Sequence, residues 1–168
     1  MPDPVSAFDI VPYEKKHIRR GFDCGVLALN SYLTQYASQD LRKNYAALFV
    51  AARNGSDKIV GYYTLSNASI SLGYIPEASR NSLPKYNDVP AIRLGRLAVD
   101  KSMQRQGLGA ELLADAVIRS VTNVAAWAVM TVEAKDEQAR AFYLKFGFES
   151  LQHDKMRLYA MRQDLKWC

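Results

Sequence analysis

Gln104-Arg105-Gln106-Gly107-Leu108-Gly109-Ala110 joins an apolar run, Arg93–Val99, to a segment of helical spacing that ends near Val121. A glycine-rich turn between a strand and a helix leaves backbone N–H groups free at the positive end of the helix. That suits an anion, above all a phosphate or pyrophosphate. Two familiar phosphate motifs do not fit. A P-loop needs Lys-Ser/Thr after its last glycine, and Ala110-Glu111 follow Gly109. A dinucleotide fingerprint needs a third glycine early in a βαβ unit, whereas this turn comes late in the chain. The alternative reading is a glycine-containing helix start that binds nothing.

The elements around the turn follow from periodicity. Phe8–Val11 reads as a short strand ended by Pro12. Val26, Leu29, Leu33 and Ala37 recur on one helical face, with Asp23 or Gly25 as the cap. Tyr45–Ala52 and Ile59–Leu65 flank the turn signal Asn54-Gly55 and predict a hairpin. Residues 66–90, with Pro76, Pro84 and Pro90, read as a strand continuation and then a long exposed loop. In Ala91–Val99 the alternation breaks phase, and a bulge near Gly95-Arg96 would repair it and open a slot beside the strand. Leu108, Leu112 and Ala116, widened by Leu113, Val117 and Val121, form the stripe of the next helix. Ala125–Ala134 is apolar on both faces, as in a central covered strand. Asp136 caps a helix whose core stripe is Ala139, Phe142 and Phe146, with Gly147 as its stop. Phe148–Leu151 and Met156–Met161 close the sheet as a hairpin. The order predicts a single α/β domain over residues 1–168, with a mixed sheet flanked by helices.

The bulk numbers set limits. A chain of 168 residues fits one domain with a proper core, and 49% apolar with 23% charged residues marks a soluble globular class. No apolar run approaches the roughly 20 residues that span a bilayer. Met1-Pro2-Asp3-Pro4 lacks the features of a signal peptide. Cys24 and Cys168 are too few for a disulfide framework, and a reducing cytoplasm is the expected location. His17, His153 and the cysteines show no metal-ligand spacing, so no metal is expected. A net charge of +5 permits an acidic partner, nucleic acid included.

Strand, Gln-x-x-Gly-x-Gly, helix, strand, then Ala134-Lys135-Asp136-Glu137-Gln138-Ala139-Arg140-Ala141-Phe142-Tyr143-Leu144-Lys145-Phe146-Gly147-Phe148 resembles the GNAT superfamily of acetyl-CoA-dependent N-acetyltransferases over essentially the whole chain. A narrower likeness joins Phe22-Asp23-Cys24-Gly25, Leu29–Leu33, Gly61–Leu65, Arg93–Asp100 and the Ala134-Lys135-Asp136 junction. Together these are similar to the toxins of type II toxin–antitoxin modules. That resemblance implies acetylation of the α-amino group of an aminoacyl-tRNA, a block of translation, a ribbon-helix-helix antitoxin as partner, and a homodimer.

The same resemblance assigns roles. Backbone groups of Leu97, Ala98 and Val99 would pair with the pantetheine arm of acetyl-CoA, in a sheet splayed at the cofactor slot. Amides of Gln104, Arg105, Gln106, Gly107, Leu108, Gly109 and Ala110 would hold its pyrophosphate. The Arg105 side chain would add charge there, or is simply solvated. Ala139 and Phe142 line the same cofactor region, and Asp136 stands where many members carry Asn, which leaves its cap intact and its contact to coenzyme A open. Tyr143 is the expected catalytic residue, because a departing thiolate needs a proton and a phenol of pKa near 10 carries one at neutral pH. Its alternative is a core aromatic.

No general base is evident, and the substrate explains why. An α-amino group with a pKa of about 7.7–8.0 is already partly neutral at pH 7. Glu133, at a strand end, is read as a solvated carboxylate. The tRNA would need a basic rim. Its candidates are Arg42 and Lys43 after the first helix, Arg80 and Lys85 in the long loop, and Arg93 and Arg96 on the strand before the glycine turn; each alone also fits an ordinary surface charge. Two rivals stand beside this reading: an acetyltransferase of a small amine or protein N-terminus, and a non-catalytic binding module of the same fold.

Overall fold

The computed structural model describes residues 6–167; the N-terminal tetrapeptide and Cys168 read above lie outside them. Seven strands form one sheet in the order β1-β2-β3-β4-β5-β7-β6. They are β1 Phe8–Pro12, β2 Ala47–Arg53, β3 Ile59–Ser71, β4 Asp88–Val99, β5 Val129–Glu133, β6 Glu149–Leu151 and β7 Asp154–Met161. β4 and β5 pair parallel, while β1–β2, β2–β3, β5–β7 and β6–β7 pair antiparallel, so the sheet is mixed as expected. Pro12 sits within β1, where an edge strand tolerates the missing donor. By proximity along the chain fold, the residues divide into two compact units. One comprises the chain through Leu65 with Arg96–Ala116; the other comprises Ser66–Gly95 with Val117 onward.

In the first unit, consecutive tyrosines of β3 point to opposite faces, as strand geometry requires. Tyr62 packs with Phe22, Tyr32, Leu33, Leu48, Val50 and Ala98 under the first helical segment. Tyr63 faces the other way and donates to Asp115 of α4 (Leu108–Val121) at 2.5 Å. Gly61 beside them is small for a packing reason: a Cβ there would meet Leu112 at 3.1 Å, Leu108 at 3.2 Å and the Ala98 carbonyl at 3.3 Å.

The first helical segment is not the uniform helix that its spacing predicts. It runs α1 Leu27–Ser31, a π-helical turn Tyr32–Tyr36, and α2 Ala37–Arg42. The wider turn shifts the buried face, so Tyr32 is buried together with Leu33 and Ala37, while Val26 and Leu29 are only half-buried. Neither Asp23 nor Gly25 caps it. Val26 holds the cap position without a side-chain bond, and Asp23 accepts from Gly25 N–H at 2.9 Å and Asn30 Nδ2 at 3.0 Å.

In the second unit, β4, β5 and β7 gather Val89, Ala91, Val129, Tyr159 and Met161 with Ile70, Ile75 and Leu151. β5 is covered on both faces, with Val129, Met130, Thr131 and Val132 all buried. It is shorter than its sequence pattern. Trp127 leaves the strand pattern to donate its indole N–H to Ser120 O at 2.7 Å, which satisfies a carbonyl at the end of α4. The expected long loop also shrinks. β3 continues to Ser71, a short helix α3 spans Glu77–Arg80, and β4 starts at Asp88, with Ile70, Ile75 and Val89 as buried anchors.

Candidate functional site

The first unit builds the glycine turn. Asp100 follows β4 and gathers three donors: Asp23 N–H at 2.9 Å, Ser102 N–H at 3.0 Å and Ser102 Oγ at 2.7 Å. Arg105 and Gly107 then adopt left-handed backbone, with φ of 62° and 84°. Successive turns of this kind aim N–H groups into one concavity. α4 begins at Leu108, and Glu111 N–H reaches back to Gly107 O at 3.1 Å. The N–H groups of Leu108, Gly109 and Ala110 precede it in the first turn, where a helix offers no internal acceptor. Free amides of this kind suit an anion.

The glutamines of the motif have a different task. Gln104 Nε2 donates to Cys24 O at 3.0 Å and Val99 O at 2.9 Å, and Gln106 Nε2 donates to Ser102 O at 3.3 Å. Their side chains thus hold the turn, and any ligand contact they make is through the backbone. The β4–β5 ladder ends at Leu94↔Val132, although β4 runs on to Val99. Leu97, Ala98 and Val99 therefore lie beyond it, and the Val99 carbonyl is already engaged by Gln104.

Asp100 was not legible as a site residue, although Asp-x-Ser is a local signature of a side chain that bonds its own backbone two residues on. Burial raises its pKa, but the Asp23 N–H, the two Ser102 donors and nearby Lys58 outweigh that and leave it lowered. A group with a lowered folded pKa adds stability above its unfolded value of about 3.9, and that stability is lost as pH falls through the folded value. Asp100→Asn is expected to lower unfolding free energy at pH 7 by about 1–3 kcal/mol. It should also flatten the loss of stability below about pH 4, read from urea midpoints across pH.

The second unit carries Tyr143. α5 spans Glu137–Lys145, and Asp136 Oδ1 accepts Ala139 N–H at 2.8 Å as its N-cap. The most buried side chain of α5 is Tyr143, whereas the expected stripe of Ala139, Phe142 and Phe146 is half-buried. The Tyr143 ring packs edge-on against Phe142 at 5.2 Å and Phe148 at 5.5 Å. Its hydroxyl makes no hydrogen bond among the described residues. Since no fully buried side-chain oxygen is left unpartnered among them, that hydroxyl reaches the surface of an otherwise buried ring. Burial pushes the phenol pKa well above its ordinary value, so the group keeps its proton at neutral pH.

Residues 23–158 match the acetyltransferase (GNAT) domain. The chain belongs to the GNAT acetyltransferase family. This acetyltransferase is 33% identical over 148 residues to the tRNA-acetylating toxin of Mycobacterium tuberculosis (strain ATCC 25618 / H37Rv), covering 86% of each chain. Its fold superposes on AtaT complexed with acetyl-methionyl-tRNAfMet with a TM-score of 0.84 at 30% identity, covering 93% of this chain and 95% of the other. It also superposes on a Tyr→Phe variant of AtaT bound to acetyl-CoA and to the C-terminus of the antitoxin AtaR. There the TM-score is 0.77 at 27% identity, covering 94% and 95% of the two chains.

The basic candidates differ in setting. Arg42, Lys43, Lys85 and Arg93 are exposed and Arg80 is half-buried in α3. Arg96 is half-buried. Burial at Ile92, Leu94 and Ala98 continues in one phase, so position 96 falls on the core side. Its guanidinium lies 3.6 Å over the Tyr32 ring, and Tyr32 in turn donates to Asp40 at 2.8 Å. Burial, and then the bond to Asp40, push the Tyr32 phenol up to about 12. Among the described residues no helix is long and apolar enough to cross a membrane, and no cluster of three metal-ligating side chains occurs.

Proposed function

We propose that this acetyltransferase moves acetyl from acetyl-CoA to the α-amino group of an aminoacyl-tRNA and so blocks translation in the cytoplasm. The observation that carries the acceptor is the similarity, over 86% of each chain, to a tRNA-acetylating toxin. Acetyl-CoA supplies an acetyl group activated as a thioester. First-turn amides Leu108–Ala110, with the left-handed Arg105–Gly107 turn, bind the pyrophosphate; the Arg105 side chain adds charge there. Leu97, Ala98 and the Val99 N–H pair with the pantetheine arm; Ala139, Phe142 and the capped Asp136 are further contacts assigned to acetyl-CoA. Tyr143 Oη holds the proton that the departing thiolate takes up. The chain needs no strong base, because an α-amino group of pKa about 7.7–8.0 is partly neutral at pH 7. An antitoxin partner is supported by the antitoxin-bound relative; its ribbon-helix-helix fold and a homodimer of this chain belong to the same proposal. Incubation with labelled acetyl-CoA should label charged tRNA and leave deacylated tRNA unlabelled; equal labelling of both would refute an α-amino acceptor.

A further inference from the structure

The loop between β1 and α1 holds Lys15-Lys16-His17-Ile18-Arg19-Arg20, a basic run that the motifs above do not use. It is a built structure. His17 is buried, packs at a tilt against Tyr13 with ring centroids 5.9 Å apart, and accepts Glu14 N–H at Nδ1 at 2.9 Å. Ile18 N–H donates to Asp57 O at 2.8 Å, and Ile59 N–H donates to Ile18 O at 3.1 Å, which sets Ile18 beside Lys58. Arg19 turns inward to Ser38 Oγ at 2.7 Å and Leu33 O at 3.3 Å. What remains outside is Lys15, Lys16, Arg20 and Lys58, all exposed. Lys16 meets Glu14 only at 3.9 Å, and the other three form no ion pair among the described residues. Asp57 and Asp100 are the other carboxylates at hand.

We infer that this loop, with Lys15, Lys16, Arg20 and Lys58, is a docking surface for the phosphate backbone of the acceptor tRNA away from its reactive end. The inference rests on the aminoacyl-tRNA reading above. The anchored backbone is ordered before any partner arrives, so little backbone ordering entropy opposes binding. The patch lacks the aromatic centre of a protein interface, since its one exposed apolar side chain is Ile18 at 51% exposure. Separated cations without an apolar centre suit counterion release from a polyphosphate. Asp100 N–H donates to Val60 O at 2.8 Å, two residues along the chain from Lys58, so the surface reaches toward the glycine turn of the same unit.

The test compares wild type with Lys15→Ala/Lys16→Ala/Arg20→Ala on two acceptors, charged tRNA and an aminoacyl-nucleoside without phosphodiesters. With charged tRNA, the slope of log kcat/KM against log salt should become shallower by about two units, at roughly 0.7–0.9 per lost phosphate contact. With the aminoacyl-nucleoside, kcat/KM should stay within about twofold, which also shows that the variant is folded. A slope equal to wild type would overturn the inference, even if the variant bound an acidic peptide such as polyglutamate less well. Transfer by wild type to neither acceptor would overturn the aminoacyl-tRNA reading itself.

Discussion

Tyr143→Phe is expected to lower kcat by about 10²–10⁴-fold, the usual contribution of a positioned proton donor, with the KM for acetyl-CoA nearly unchanged. The change removes one oxygen and leaves the ring against Phe142 and Phe148. Because that oxygen has no hydrogen-bond partner among the described residues, no buried group is orphaned and the fold should be retained. The pH profile separates this role from a structural one. In wild type, kcat/KM should rise as the acceptor amine loses its proton near pH 7.7–8.0. It should show no falling limb from Tyr143 up to about pH 10, because burial moves that phenol upward. Thiol release followed at saturating acetyl-CoA measures both. A variant with kcat within threefold of wild type would remove Tyr143 from catalysis.

Gly107→Val should act on the other half of the reaction. No atom lies within 4 Å of where a Cβ would stand, so space does not exclude a side chain. The backbone does: φ is +84°, a region where a β-branched residue is a severe outlier. The strain is on the order of 1–2 kcal/mol, and relieving it means turning the amides away from the anion. The KM for acetyl-CoA should rise about tenfold or more, since 1.4 kcal/mol is a factor of ten. The KM for charged tRNA should move by less than threefold. Equal rises for both substrates, or none, would mean that the turn does not serve the pyrophosphate.

The parts of this molecule that could be read from the chain are those governed by local rules. The glycine turn, the Asp136 cap and the covered strand β5 each follow from a few adjacent residues, and the structure contains all three. What escaped the sequence depends on packing between distant residues. The π-helical turn at Tyr32–Tyr36 inserts a residue that periodicity treats as continuous, and it moves Tyr32 into the core. Arg96 looks like a surface cation until Tyr32 is seen beneath it. The two glutamines of the motif are assigned only through their backbone amides, and their side chains tie Cys24, Val99 and Ser102, a role no spacing rule shows. Arg19 differs from its neighbours Lys15, Lys16 and Arg20 only because Leu33 O and Ser38 Oγ lie within its reach, and no spacing rule separates them.

The most direct test of the whole account is chemical identification of the product. Charged tRNA is incubated with the protein and labelled acetyl-CoA, digested with a nuclease, and its 3′-terminal nucleoside examined by mass spectrometry. The account predicts an N-acetyl-aminoacyl-adenosine carrying the label, formed by wild type and nearly absent with Tyr143→Phe. Label confined to small amines or to protein N-termini, with the aminoacyl-adenosine unmodified, would contradict it.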